Sequence, residues 1–160
     1  MDSKFIDYFM RVAEETAGLS YAKRLQVGCV IVKDRRILSI GYNGTPSGWD
    51  NTCEYEIPEK VCYESRSVEP ARTATKPEVI HAESNAITKL AASTESSKDA
   101  TAFVTHAPCM DCAKLLYQAG IAEVIYKEEY RDKIGIEFLE KCGVKVWRKK
   151  KIGQPVEVAP

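Results

Sequence analysis

The sequence predicts a single three-layer α/β/α domain built around a mixed five-stranded sheet. Apolar residues recur at helical spacing in four stretches, and five short apolar runs lie between them. Over the C-terminal half helices and strands alternate, which is typical of parallel strands joined by right-handed crossovers. No internal repeat and no domain boundary is visible. We therefore expect one domain over residues 1–160, with a core over about 1–148 and a basic C-terminal tail over 149–160.

The first third predicts a helix and then a hairpin. Residues 2–19 carry apolar side chains at spacings of three and four, with Asp2 or Ser3 as the cap and Gly18 at the end. The nearly continuous apolar run 26–32 predicts a strand buried on both faces. A second strand over 37–42 follows the short turn at Asp34-Arg35, so this pair is expected to be antiparallel.

The remainder predicts a long loop followed by alternating helices and strands. Residues 43–79 lack periodicity and are rich in proline and glycine, and a loop of this length in a compact domain is usually functional or disordered. The later elements are expected at 81–91 (helix), 101–105 (strand), 109–119 (helix), 124–126 (strand), 131–142 (helix) and 144–147 (edge strand). The last three strands are expected to be parallel.

Composition and charge argue against several classes of function. Zero formal net charge provides no global field for nucleic acid or an anionic membrane, and no apolar run approaches the length of a membrane span. The basic residues from Lys145 to Lys151 are interpreted as a solvated tail. Because the N-terminus does not resemble a signal peptide, the six cysteines are expected to be thiols or metal ligands in a cytoplasmic protein (host cytoplasm if viral).

Two short segments carry the chemistry: His81-Ala82-Glu83 and Pro108-Cys109-Met110-Asp111-Cys112. One imidazole and two thiols suit Zn²⁺ and leave a fourth tetrahedral position for water. Both segments open predicted helices, whose N-termini favour thiolates. The pattern H-x-E with P-C-x-x-C is the signature of zinc-dependent nucleobase deaminases. Zinc lowers the pKa of bound water from 15.7 to about 7, so Glu83 could take that proton and pass it to the ring and the departing amine.

Beyond these segments, the sequence from Gln26 to Trp147 resembles the deoxycytidylate (dCMP) deaminase family, in its viral or bacterial branch. Four segments carry the resemblance: 27–32, 41–46 (Gly-Tyr-Asn-Gly-Thr-Pro), 81–87 and 108–126. The resemblance implies a cytidine-deaminase-like fold and the hydrolysis of dCMP to dUMP and ammonia for thymidylate synthesis. It also implies one catalytic Zn²⁺, Mg²⁺ with nucleotide effectors, and a homohexamer that dCTP activates and dTTP inhibits.

The resemblance further implies a nucleotide site. Its expected residues, besides the metal ligands and Glu83, are Asn43, Gly44, Thr45, Ala82, His106 and Tyr126. A plain turn is the alternative for Asn43-Gly44-Thr45, and a core position is the alternative for Tyr126. His106 is placed on the pocket rim, although it is also the obvious candidate for a fourth zinc ligand. Arg24, just before the first strand, is expected to be a surface arginine, with phosphate binding as the alternative.

Three alternatives stay open. A tRNA adenosine deaminase shares the ligand set, but it would need a basic substrate path that this composition does not provide. A free-nucleoside cytidine deaminase usually supplies a third cysteine. A non-catalytic zinc-binding interaction module would keep the metal and leave Glu83 without a role. A second, structural zinc at Cys53 and Cys62 is a separate alternative within the family reading.

Overall fold

The computed structural model describes residues 1–62, 67–149 and 157–158. Its helices are α1 (Ser3–Ala17), α2 (Ala82–Ala91), α3 (Met110–Gln118) and α4 (Ile134–Lys141). Its strands are β1 (Gly28–Lys33), β2 (Arg36–Tyr42), β3 (Glu54–Ile57), β4 (Lys60–Cys62), β5 (Ser67–Glu69), β6 (Arg72–Thr75), β7 (Thr101–His106), β8 (Glu123–Glu128), β9 (Lys145–Arg148) and β10 (Glu157–Val158).

The main sheet has the strand order β10-β9-β8-β7-β1-β2. Strands β7, β8 and β9 are parallel, whereas β1 runs antiparallel to both β2 and β7. The five predicted strands and the predicted mixed sheet are therefore confirmed. The short strand β10 pairs antiparallel with β9, so the prediction that residues 144–147 form the edge of the sheet was wrong.

Helices cover both faces of this sheet, which confirms the three layers. Strand β1 shows the division, because successive side chains of a strand point to opposite faces. Val30 and Val32 pack with α1 around Phe9, and Cys29 and Ile31 belong to the core shared with α2, α3 and α4. The turn between β1 and β2 has Asp34 and Arg35 at positive φ, which matches the twist of a two-residue hairpin.

The segment 43–79 contains more regular structure than predicted. Strand β3 pairs with β6 and β4 pairs with β5, so two antiparallel ribbons occupy part of the expected loop. Most of the described side chains of β3, β5 and β6 are exposed, and no buried face therefore imposes an apolar alternation on the sequence.

Helix α4 begins at Ile134, three residues later than predicted, because the Asp132 carboxylate accepts the backbone N–H of Ile134. The C-terminal basic residues also differ from the expected solvated tail. Lys149 is buried and pairs with Asp7, and Arg148 pairs with Glu129. The remainder of the predicted tail lies outside the described residues, apart from the backbone of β10. None of the described helices has the length and apolar character needed to span a membrane.

Candidate metal centre and pocket

His81, Cys109 and Cys112, predicted as ligands from their spacing, lie together as a group that could hold a metal ion. The His81 Nδ1 atom lies 3.6 Å from the Cys109 Sγ atom and 3.4 Å from the Cys112 Sγ atom. A tetrahedral Zn²⁺ with Zn–N near 2.1 Å and Zn–S near 2.3 Å would separate these donor atoms by about 3.6 Å. The three donors therefore fit zinc. Within the described part of the chain His106 does not belong to this cluster, which agrees with its placement on the rim.

Two of the candidate ligands stand immediately before the first residue of a helix. His81 is the N-cap of α2 and Cys109 is the N-cap of α3, both with extended backbone angles. Neither side chain caps its own helix by a hydrogen bond, so both can turn toward a metal. Cys112 lies in the first turn of α3 and is buried. The starts of α2 and α3 therefore bring the three candidate ligands together, as their positions in the sequence predicted.

Close packing against β2 fixes α2, and with it His81 and Glu83. A Cβ atom on Gly41 would lie 2.2 Å from the Ala82 carbonyl oxygen, so only glycine lets the helix approach this closely. The Asn85 side-chain amide donates to the Tyr42 carbonyl oxygen at 2.8 Å. Immediately before His81, Ile80 and Gly44 exchange two backbone hydrogen bonds.

A second close approach fixes the start of α3. A Cβ atom on Gly135 would lie 2.1 Å from the Pro108 carbonyl oxygen and 2.9 Å from the Cys109 carbonyl carbon. The backbone N–H of Ala107 donates to the Glu128 carbonyl oxygen, which ties the same segment to the end of β8. The backbone of Cys109 is therefore held between α4 and the sheet.

The electrostatics of the cluster favour the thiolate form of Cys109, which is the form that binds a metal. Hydrogen bonds from Cys112 and from His81 lower the pKa of the Cys109 thiol to about 4. The same contact with Cys109, followed by burial, raises the pKa of Cys112, and hydrogen bonding to Cys109 raises the pKa of His81. Without a metal, the cluster therefore favours the thiolate at Cys109 and the protonated form of the His81 imidazole.

Glu83 is almost fully buried in the first turn of α2, with a relative exposure of 4%. Burial raises the pKa of its carboxyl group above the usual value, against the opposing effect of its own backbone N–H. A carboxyl group in this state can hold a proton closer to neutral pH than an exposed glutamate can. This is the property that a group accepting and returning protons needs.

A pocket of about 410 Å³ opens beside the cluster. Six of the predicted site residues line it: Asn43, His81, Ala82, Glu83, His106 and Cys109. The other predicted residues, Gly44, Thr45, Cys112 and Tyr126, are not among its lining residues.

Several of these residues have clear structural roles. The Asn43 amide accepts from the backbone N–H of Val27 and donates to the Leu25 carbonyl oxygen, so it shapes the pocket wall. The Thr45 hydroxyl donates to the Asp50 carbonyl oxygen. Tyr126 is buried in the core, and this burial raises its pKa. Their contacts with a substrate stay predictions.

The pocket also contains groups that the sequence did not identify. Tyr130 and Arg131 line it, although residue 131 was expected to begin a helix. Their position just after β8 could have indicated this, since ligands often bind beyond the carboxyl ends of parallel strands. Arg24 lines the pocket as well, and its guanidinium donates to the Thr75 hydroxyl of β6 at 3.1 Å. Arg24 is exposed, as expected of a surface arginine, and it also lies at the pocket.

The suggested second zinc site has no described ligand cluster. Cys53 is buried against Ala22 and Val79, and its thiol contacts the Asn51 carbonyl oxygen at 3.7 Å. The side chain of Cys62 lies outside the described residues.

Comparisons with known proteins identify the family. The model of the cytidine and deoxycytidylate deaminase zinc-binding region matches residues 3–128. The deoxycytidylate deaminase of Mycobacterium phage D29 is 37% identical over 125 residues, which cover 77% of this chain and 94% of that protein. The deoxycytidylate deaminase of Saccharomyces cerevisiae is 33% identical over 140 residues, but they cover 87% of this chain and only 43% of the longer yeast protein.

Among solved structures, the dCMP deaminase of cyanophage S-TIM5 in complex with dCMP and dUMP superposes with a TM-score of 0.79. That protein is 39% identical, and the match covers 93% of this chain and 99% of the cyanophage chain. Together with the matched family model and the His/Cys/Cys cluster, these similarities show that the chain belongs to the cytidine and deoxycytidylate deaminase family.

Proposed function

We propose that this protein hydrolyses dCMP to dUMP and ammonia. The observation that carries the proposal is the buried carboxyl group of Glu83 next to a His/Cys/Cys cluster at the wall of a pocket. The relatives support the substrate, since the D29 protein is named a deoxycytidylate deaminase and the cyanophage protein was crystallised with dCMP and dUMP.

The residues of the cluster have separate roles in this reaction. His81, Cys109 and Cys112 would hold the ion, and Zn²⁺ bound to such a set lowers the pKa of a coordinated water to about 7. As the C–O bond forms at C4, Glu83 accepts one proton from the attacking water and delivers it to the ring nitrogen N3. Glu83 then takes the proton of the new C4 hydroxyl and passes it to the amine, the C–N bond breaks, and ammonia departs.

Two cations in the pocket support a phosphorylated substrate. Arg24 and Arg131 both line it, and guanidinium groups bind phosphate oxygens through paired N–H donors. We assign the substrate contacts to Asn43, Gly44, Thr45, Ala82, His106 and Tyr126 on the strength of the family resemblance. Of these, Asn43, Ala82 and His106 line the pocket.

The variant Glu83→Gln tests the proton shuttle. We expect it to keep zinc at wild-type stoichiometry and to lose deamination by about 10²- to 10⁴-fold, the usual contribution of a positioned acid-base group. Glu137→Gln is a matched control, because Glu137 occupies the first turn of α4 but is exposed. Near-wild-type turnover by Glu83→Gln would refute the assigned proton shuttle. Absence of turnover in the zinc-loaded wild-type protein would instead favour a zinc-binding module without catalysis.

A substrate panel tests the choice of dCMP. Ammonia release is measured with dCMP, deoxycytidine, dCTP, single-stranded oligonucleotides and a tRNA anticodon stem-loop. We expect the highest kcat/KM for dCMP. Two arginines line the pocket and can bind the phosphate of dCMP, whereas a free nucleoside has no phosphate for them to bind. Preference for a polymer would instead support the tRNA adenosine deaminase reading.

Regulation and assembly follow from the family resemblance. We infer a homohexamer in the cytoplasm, activated by dCTP and inhibited by dTTP with Mg²⁺, which supplies dUMP for thymidylate synthesis. Light scattering gives the mass of the assembly, and initial rates at subsaturating dCMP with each nucleotide test the regulation. A monomer whose rates do not respond to either nucleotide would contradict both inferences.

A further inference from the structure

We propose that Thr105 holds the His106 imidazole in the tautomer with its proton on Nε2, so that His106 presents an N–H donor to the substrate. The substrate part of this inference rests on the proposed deamination of dCMP. The tautomer itself is a property of the protein alone.

The two residues end strand β7 beside the pocket. His106 lines the pocket, and its Nδ1 atom lies 3.1 Å from the Thr105 hydroxyl oxygen. Thr105 is only 5% exposed. Its hydroxyl oxygen also accepts the backbone N–H of Gly28 from the neighbouring strand β1, at 3.1 Å. This second bond fixes the position of the hydroxyl group.

The direction of the Thr105–His106 hydrogen bond can be inferred because the buried Thr105 hydroxyl proton needs an acceptor. Within the described part of the chain, His106 Nδ1 is the acceptor recorded for this buried O–H. If Nδ1 carried a proton, the hydroxyl would accept twice and leave its own hydrogen unpaired, which is costly in a buried position. Thr105 therefore donates to Nδ1, and a neutral ring must carry its proton on Nε2.

The charge state of the ring is consistent with this assignment. Burial lowers the pKa of His106 below its usual value, which favours the neutral form of the ring. With Nδ1 engaged by Thr105, the remaining polar group of the ring is the Nε2–H donor. Such a donor matches an acceptor on a nucleotide, either a carbonyl oxygen of the base or a phosphate oxygen.

Imidazole ¹⁵N NMR of the zinc-loaded protein reads the tautomer directly. The sequence has only two histidines, so the spectra contain two rings, and His81 is identified by its response to replacing zinc with cadmium. We expect the His106 spectrum to show protonated Nε2 and unprotonated Nδ1. Protonated Nδ1 in the wild-type protein would overturn the proposal, even if the protein proved inactive toward dCMP.

Variants of Thr105 test its role as a positioning residue. Thr105→Val removes the hydroxyl at nearly constant volume and should shift the His106 nitrogens toward a mixture of tautomers, whereas Thr105→Ser should keep the wild-type spectrum. Thr101→Val is the matched control, because Thr101 is a second buried β7 threonine whose hydroxyl donates to Glu123 instead. Unchanged His106 signals in a folded Thr105→Val protein would also refute the proposal.

Steady-state kinetics then test whether the Nε2–H group of His106 donates a hydrogen bond to the substrate. Glutamine can place an N–H where Nε2 lies, whereas asparagine reaches only to the Nδ1 position. We expect His106→Gln to retain kcat/KM within about threefold, and His106→Asn and Thr105→Val to lose about three- to tenfold, as one hydrogen bond would predict. Equal losses for Gln and Asn would overturn the donor role. A loss seen with dCMP but not with deoxycytidine assigns the acceptor to the phosphate, and a loss with both assigns it to the nucleoside; either result supports the proposal.

Discussion

The substitution Gly135→Ala should weaken zinc binding although it replaces no metal ligand. The new Cβ atom would lie 2.1 Å from the Pro108 carbonyl oxygen, about 1.3 Å inside the 3.4 Å at which ordinary contacts begin. Both partners are backbone, so α4 and the Pro108-Cys109 segment must move apart. Metal–ligand distances tolerate only about 0.2 Å, so even a part of this displacement carried by Cys109 exceeds the tolerance.

We expect a loss of about 1–3 kcal/mol in the free energy of unfolding from overpacking, together with at least about tenfold weaker zinc binding. Unfolding is followed in urea, and zinc affinity by competition with a chromophoric chelator. Gly28→Ala is the matched control, because its Cβ atom would lie 2.0 Å from the Ala13 carbonyl oxygen, between α1 and β1. That variant should lose similar stability and keep its zinc affinity within about twofold. Wild-type zinc affinity in Gly135→Ala would refute the argument that Gly135 positions Cys109.

Two further predictions concern charge. In metal-free protein the Cys109 thiol, with a pKa of about 4, is already a thiolate from pH 5 to 8. Its alkylation by iodoacetamide should therefore be nearly independent of pH in this range. The alkylation rate of a thiol with an ordinary pKa rises about tenfold per pH unit. Peptide mass spectrometry quantifies the reaction, zinc should protect Cys109, and a tenfold rise per unit would contradict the lowered pKa. Lys149→Met should lower the free energy of unfolding by about 1–3 kcal/mol. The side chain of Lys149 is 8% exposed and that of its partner Asp7 is 25% exposed. Without Lys149, the Asp7 carboxylate would be left largely buried and without a counterion. The double variant Asp7→Asn/Lys149→Met should recover part of this loss in urea unfolding, and no recovery would contradict the pairing.

The sequence predicted the metal centre well because its information is local. The spacing of Cys109 and Cys112 places both sulfurs in one helical turn, and the Glu83 position follows from His81. The periodicity of the helices and buried strands was also sufficient for the three-layer fold, since those elements bury apolar faces.

Other features depended on contacts between distant segments. Arg24 reaches the pocket because the β3–β6 ribbon folds back: Glu54 accepts the backbone N–H groups of Lys23 and Arg24, and Thr75 accepts from the arginine itself. No local pattern reports such a contact. Lys149 was assigned to a solvated tail because basic clusters usually are solvated. In the structure it is buried and pairs with the partly buried carboxylate of Asp7 on α1.

The placement of His81 and Cys109 at helix N-caps has a consequence for the balance of charge at the site. Two thiolates neutralise the charge of a divalent ion, so a loaded centre has no net charge. The N-termini of α2 and α3 nevertheless meet there, each with a partial positive charge of roughly half a unit. Together they leave a positive field of fixed backbone dipoles around an electrically neutral centre. Such a field favours negative charge that accumulates on a nearby ring during attack, and backbone dipoles provide it without a side chain that could titrate.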